Sequence, residues 1–216
     1  MDSAPPPRPG RPADELANAL THGLGVLASV AAVPVLVVLA ARAGDVWDVV
    51  GASIFGTTLV ILYLASTAYH AARRPALKAR LKVLDHCAIY LLIAGSYTPF
   101  LLGPMRGGWG WSLFGVIWGL AATGVVLKTF LTGRYRLLST LTYVGMGWLV
   151  LIAVVPLLRS VSPAVLTWLV AGGIAYTAGT PFYQTHRHRF THAVWHGFVL
   201  AGSACHVVAV ALATLA

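Results

Sequence analysis

The sequence predicts an all-α polytopic membrane protein: a bundle of seven transmembrane helices, N-terminus cytoplasmic and C-terminus outside. Three observations carry this. Hydrophobic residues make up 58% of the 216 positions and charged residues only 10%, where soluble domains are about a quarter charged. Apolar runs of about 20 residues recur, long enough for a hydrocarbon layer of roughly 30 Å and too long for barrel strands. The basic residues gather in the connections on one side.

Residues 1–13 (MDSAPPPRPGRPA) are Pro-rich and polar, which predicts a disordered cytoplasmic tail ahead of a single membrane domain over 14–216. The first span is expected at about 20–41, introduced by the polar turn Asp14-Glu15-Leu16-Ala17-Asn18. Ala41-Arg42-Ala43 resembles a signal-peptide cleavage site, but the apolar run is longer than a signal core, and Asp14, Glu15 and His22 stand at its start. A retained helix is the expectation. Further spans follow at about 46–70, 83–103, 109–131, 137–159, 161–184 and 190–214. Pro34, Pro99, Pro156 and Pro181 fall inside or near the ends of spans, where membrane helices accept kinks if neighbours satisfy the freed carbonyls. Gly115 and Gly119 either allow a close helix approach or leave a gap in packing. Cys87 and Cys205 both lie in apolar segments and predict no disulfide framework.

A net charge of +9 in a soluble chain would suggest nucleic acid. Here the charges sit between apolar runs and read as topology signals. Arg8, Arg11, Arg73, Arg74, Lys78, Arg80, Lys82, Lys128, Arg134, Arg136, Arg187 and Arg189 fall on one side, against Arg42, Arg106 and Arg159 on the other. That asymmetry puts the first group in the cytoplasm. No nucleic-acid partner is expected; membrane lipids are. The abundance of Arg, Ala and Val suggests a bacterial source, hence a multi-pass protein of the bacterial plasma membrane.

The chemistry concentrates in the last span. His192 and His196 are four apart, so a helix sets them on one face about 6 Å from each other, a spacing that suits two ligands of one metal ion. Five of the six acids lie at or before Asp48, and the sixth is Asp85. An isolated carboxylate within a span is costly and reads as functional. The topology sets Ser66, His70, Asp85, His192 and His196 in one cytoplasmic-side layer, with a hairpin of about a dozen residues joining His70 to Asp85. Three histidines with water as fourth ligand form a catalytic-zinc arrangement, so Zn2+ is the expected cofactor. Asp85 would hold or deprotonate the water, and Ser66 would donate to a developing oxyanion or to a ligand.

Each residue also has a plainer role. His192 and His196 could form interhelical hydrogen bonds, and His70 could sit at the interface. Asp85 could pair with Arg80 or Lys82, and Ser66 could bond the carbonyl four residues back. Glu15, Asn18 and His22 recur at helical spacing and either face the site or cap the first helix. His86 and Cys87 flank Asp85 but point elsewhere on the helix. His206 lies about 15 Å from His196 along the axis, too far for the same ion. His186 and His188 sit in the basic sixth connection, solvated among headgroups. Belt or packing roles suffice for Trp109, Trp111, Trp148 and Trp168.

The motifs Glu15-x2-Asn18-x2-Thr21-His22, Ser66-x2-Tyr69-His70, Asp85-His86 with Ile89-Tyr90, and Ala94-Gly95-Ser96-Tyr97-Thr98-Pro99 follow one another in order. Gly172-Gly173 with Tyr176 and Gly179, then His192-x2-Trp195-His196 running on to His206, complete the series. From Glu15 to about Val210 the chain resembles the hemolysin III family, bacterial relatives of the progestin and adipoQ receptors. The resemblance implies seven helices, a cytoplasmic N-terminus, and zinc at the counterparts of His70, His192 and His196 with Ser66 and Asp85 close by. Alkaline ceramidases in the wider superfamily imply hydrolysis of a lipid amide or ester. A non-catalytic membrane-state sensor with structural zinc is the alternative. A cytolytic protein, as the family name suggests, is the third reading, and no span carries the periodic polar stripe of a channel.

Overall fold

The computed structural model describes residues 12–185 and 189–215; most of the Pro-rich tail, with Arg8 and Arg11, and His186, Arg187 and His188 lie outside the described residues. The described residues form helices and short connections, with no strand among them. The helices are α1 (Pro12–Ala43), α2 (Val46–Ala71), α3 (Pro75–Leu102), α4 (Gly108–Leu131), α5 (Arg136–Gly147), α6 (Val154–Ser160), α7 (Pro163–Gln184) and α8 (Thr191–Leu215). A 3-10 segment, Leu149–Ala153, joins α5 to α6.

Six stretches are long and apolar enough to cross a membrane: α1, α2, α4, the composite Arg136–Ser160, α7 and α8. At 28 residues α3 has the length as well, but Lys78, Arg80, Lys82, Asp85 and His86 lower its hydropathy. The surface is apolar, and polar groups are buried beside an apolar core. Phe130, Leu27 and Ile152 are exposed, while Asn18, His22, Ser66, His70, Asp85, Lys128 and His196 are buried. A chain dissolved in lipid can leave leucines on its surface but places its polar groups inside. The protein is an all-α polytopic membrane protein.

Two helices are longer than hydropathy alone predicts. α1 starts at Pro12, with Asp14 and Glu15 in its first turn, where acids complement the helix dipole. α3 starts at Pro75, with proline at the first helical position, and continues through good helix formers such as Ala76, Leu77, Lys78 and Ala79. The expected dozen-residue hairpin between His70 and Asp85 is therefore a connection of only 72–74, with the rest already helical.

The fifth span is not one helix. Its α-helical hydrogen bonding stops at Trp148, and Pro156 further on cannot donate to the carbonyl four residues back. The break is satisfied from α3. The Tyr97 hydroxyl lies 2.8 Å from the carbonyls of both Met146 and Gly147 and accepts the Val150 N–H at 3.1 Å. Trp148 Nε1 donates to Thr177 Oγ1 on α7 at 2.9 Å.

Packing runs α4–α3–α2–α1–α8–α7, and α5 touches α3 and α7 more lightly. Where α2 meets α3 the backbones come very close: a Cβ on Gly51 would lie 2.8 Å from Pro99 Cα. Gly115 and Gly119 have nothing within 4 Å of a Cβ position, so within this chain they form no close helix contact. The lighter packing of α5 and α6 leaves a cavity of about 1520 Å³ lined by α3, α5, α6, α7 and α8 and reaching α1, α2 and the end of α4.

Candidate metal centre and the cavity around it

Three helix ends build the centre, each with side chains one turn or so apart. The last turns of α2 present Ser66 and His70, the first turns of α8 present His192 and His196, and the start of α1 presents Glu15, Asn18 and His22. The three rings at the middle form a triangle. Ring centroids are 5.1 Å apart for His70–His192, 5.1 Å for His70–His196 and 4.6 Å for His192–His196. One nitrogen from each lies within 4.8 Å of the other two, so the group could hold a metal ion.

The hydrogen bonds around the rings favour that use. His70 Nδ1 is 2.9 Å from Glu15 Oε2, and the same oxygen accepts from Lys78 Nζ at 2.8 Å. A proton on Nδ1 donates to the carboxylate and leaves Nε2 with a free lone pair. That Nε2 is buried and has no protein partner. His196 Nδ1 lies 3.2 Å from the Asn18 carbonyl and 3.1 Å from Thr21 Oγ1, which again leaves the opposite nitrogen for an ion. Metal-bound histidines are oriented in this way, one nitrogen fixed by an acceptor and the other on the metal. Buried polar atoms normally have partners. Asn18 Oδ1, Ser66 Oγ and both ring nitrogens of His22 have none among the protein atoms, and all lie at this centre. The residues fit a cation with a polar shell.

His22 stacks on His196 with centroids 3.5 Å apart and planes 13° off parallel, and Tyr63 stands edge-on to it at 5.1 Å. Glu15, Asn18 and His22 thus face the site from α1; they do not merely cap that helix. Thr21 joins them as a support that sequence reasoning quoted only as part of a motif. Its signal was position: one residue before His22 and three after Asn18.

Ser66 does not bond the carbonyl four residues back; its hydroxyl is buried, makes no close hydrogen bond and interacts with the Asp85 carboxylate. Asp85 is buried, lines the cavity and interacts electrostatically with His70. Among the described residues neither Arg80 nor Lys82 forms an ion pair with it; the contact within 4 Å is His86 Nδ1 at 3.7 Å. His86 faces the cavity too, contrary to the expectation that it points elsewhere. Cys87 is buried, 3.7 Å from the Val125 carbonyl, and not in the histidine group. His206 packs edge-on against Tyr176 at 5.5 Å and over Gly172, apart from the triad, as its spacing predicts. From the histidines the cavity extends past Ser96, Tyr97 and Phe100 to the apolar walls Leu101, Leu157 and Leu166.

A helical membrane bundle with three histidines converging inside one end belongs to the class of intramembrane proteins with a candidate metal centre. Comparison with known sequences gives the family. The model described as Haemolysin-III related matches residues 11–207, and the chain belongs to that family. It is 50% identical over 191 residues to the Hemolysin-3 homolog of Bacillus subtilis (strain 168), covering 88% of this chain and 90% of that protein. Identity to Hemolysin-3 of Bacillus cereus is 44% over 191 residues, 88% of this chain and 87% of that one. The human Monocyte to macrophage differentiation factor is 28% identical over 209 residues, 91% of this chain and 83% of the human protein.

Proposed function

We propose that the protein is a zinc-dependent hydrolase of a lipid amide or ester, acting in the bacterial plasma membrane with its centre on the cytoplasmic side. The observation that carries this reading is the buried, unpartnered Nε2 of His70, aimed at His192 and His196 while Glu15 fixes Nδ1. Three neutral imidazoles suit zinc, and a set of three leaves a coordination position open. Zinc bound there would supply a Lewis acid and make a water acidic near neutral pH.

The chain's own residues do the rest. Asp85, within electrostatic reach of His70, accepts the proton that the attacking water loses and returns it to the leaving group. Ser66, with its hydroxyl free of the helix backbone, donates to the oxyanion that forms on the substrate carbonyl. Glu15 and the Asn18 carbonyl hold His70 and His196 in position, and Lys78 keeps Glu15 in place. The apolar depth of the cavity takes an acyl chain and keeps bulk water off it.

Metal analysis of purified protein, wild type against His192→Ala, is the first test. Wild type with less than about half an equivalent of zinc ends the reading. With zinc present, fatty-acid release from ceramide-like or phospholipid substrates, lost in Asp85→Asn while zinc stays, is the expected result. One observation favours a structural metal instead. His22 lies against His196 with both ring nitrogens unpartnered, and a fourth protein ligand would close the site. In that case the protein is a membrane-state sensor whose zinc clamps α1, α2 and α8, and His22→Ala lowers zinc content as far as His192→Ala does. The cytolysis suggested by the names of the Bacillus relatives has no feature of this cavity in its favour.

A further inference from the structure

A second cluster lines the same cavity, on the α3–α4–α5 side and away from the histidine triad. Its hub is His86. The ring's Nδ1 donates to the Lys82 carbonyl at 2.7 Å, and its Nε2 accepts from the Tyr183 hydroxyl at 3.3 Å, so the imidazole is fully engaged as a neutral ring. Arg136 lies over the ring of Tyr183, its Cζ 4.2 Å from the centroid. Tyr143 donates to the His86 carbonyl at 3.2 Å, and Lys128 Nζ stands 5.9 Å from the centre of its ring. Lys82 is on the turn before His86. Three cations are thus each within one side chain of a single histidine, and all three line the cavity.

Among the described residues, no set of carboxylates balances them. The acid–base contacts within 4 Å among the described residues join Glu15 to Lys78 and His70, Asp14 to Arg189, Asp45 to Arg106 and Asp85 to the neutral His86; none reaches Lys82, Lys128 or Arg136. Asp85 is the nearest carboxylate and offsets one charge of the three. The C-terminal end of α4, from which Lys128 projects, offers about half a charge more. More than one positive charge remains. A purely topological role would leave the cations out in water, yet Lys128 is only 5% exposed, with Ser139 Oγ at 2.7 Å as its partner. Arg136 interacts with Tyr183, but its Nε is buried with no hydrogen-bond partner. Burying like charges together is costly unless an anion completes the set.

We infer that Lys82, Lys128 and Arg136 form an anion site at the cavity mouth that takes a phosphate group. A guanidinium fork and two ammonium groups approach from three helices, a donor set suited to a tetrahedral oxyanion with several acceptor oxygens. Free phosphate and a phospholipid headgroup share that chemistry. The apolar reach of the cavity beyond the mouth favours the lipid, with its acyl chain directed inward past Tyr97. For the lipid source the inference rests on the reading of the cavity as a lipid chamber. It also narrows the substrate class, from neutral ceramide-like lipids to anionic phospholipids.

The test is binding to the purified full-length protein in a neutral detergent, followed by native mass spectrometry. The probes are phosphatidylglycerol, the diacylglycerol with the same chains, and inorganic phosphate. Phosphatidylglycerol should bind at least about tenfold more tightly than diacylglycerol, and Lys128→Met and Arg136→Gln should each remove roughly that factor. Arg136→Gln serves if Lys128→Met does not fold. Zinc content of both variants should stay at the wild-type value, and Arg42→Gln, at the opposite end of α1, should bind as wild type. Displacement of the lipid by millimolar phosphate confirms a shared phosphate site. Phosphate binding without any lipid preference also supports the site, with free phosphate as its source. No preference for phosphatidylglycerol together with no phosphate binding overturns the inference. So does an Arg42→Gln loss equal to that of Lys128→Met, which would indicate surface attraction alone. Protein that lacks zinc but keeps the lipid preference refutes the metal reading and leaves the anion site standing.

Discussion

The histidine layer between α1, α2 and α8 and the cationic mouth between α3, α4 and α5 share one cavity but balance charge in opposite ways. In the layer Glu15 is matched within hydrogen-bond reach, accepting from both His70 and Lys78. In the mouth, Lys128 and Arg136 are supported by hydroxyls and aromatic rings, and Lys82 by the charge of Asp85. A paired cluster can stand in place before any ligand arrives, and its unmet need is for lone-pair acceptors: orphaned nitrogens and hydroxyls that suit a cation. An unpaired cationic cluster has the reverse need. On the proposed reading one cavity offers a cation site and an anion site side by side, which suits a substrate with a carbonyl near a phosphate.

The largest effect that would break this comparison comes from the layer itself. His192→Ala removes one of three ligands from a set with no spare, and zinc content should fall from about one equivalent to below roughly a tenth. Elemental analysis of both proteins, prepared without chelator, decides it. If zinc is retained, another residue is the ligand, and His22 is the first to examine. Glu15→Gln is milder. The amide keeps the shape but removes the charge that His70 and Lys78 share, and loss of such a supporting carboxylate typically weakens metal affinity about 10- to 100-fold. A chelator competition titration should show that drop, with full zinc still bound at saturating metal. An unchanged affinity would mean that His70 is held by packing and not by its carboxylate.

The sequence made the helices legible because a lipid-facing surface must be apolar along its whole length. It also exposed the candidate site, because histidines four apart and a lone Asp85 are costly inside a membrane. The polar ends of helices were less legible. Hydropathy sees only the part of α3 inside the apolar layer, so the eight residues 75–82 looked like a loop although α3 starts at Pro75. The break after Gly147 was hidden because its compensation is tertiary: Tyr97, some fifty positions away, takes over the hydrogen bonds. Lys128 and Arg136 looked like topology charges, since nothing local in sequence distinguishes a buried cation from a solvated one.

The seam that joins the two clusters is the contact of α2, which carries His70, with α3, which carries Lys82 and Asp85. A methyl group on Gly51 would meet the backbone of Pro99 at 2.8 Å, which only a shift of one helix could relieve. Gly51→Ala should cost about 1–3 kcal/mol and lower the melting temperature in detergent by several degrees. Gly115→Ala, with nothing within 4 Å, should cost nothing measurable and so serves as the control. Equal behaviour of the two variants would mean that the α2–α3 seam yields easily and that the clusters are less rigidly linked than the packing indicates.

The smallest effect belongs to the one charge pair at the far end of the bundle. Asp45 caps α2, accepting from the backbone N–H groups of Trp47 at 2.7 Å and Asp48 at 3.3 Å, and it receives Arg106 Nη1 at 2.6 Å. The hydrogen bond from Arg106, with the two backbone donors behind it, holds the Asp45 carboxyl below its ordinary value of 3.8. A carboxyl depressed on folding contributes stability that is complete above its unfolded value and disappears as pH falls through its folded one. The group is solvent-exposed, so screening keeps the contribution small. Asp45→Asn should melt slightly below wild type at neutral pH, and the gap should close as the solution is acidified through the depressed pKa of Asp45. Added salt should narrow it as well, whereas the zinc losses in His192→Ala and Glu15→Gln should not respond to salt. A gap that persists at low pH would show that the cap acts through its shape and hydrogen bonds alone, like the neutral supports of the cationic mouth, and not through its charge.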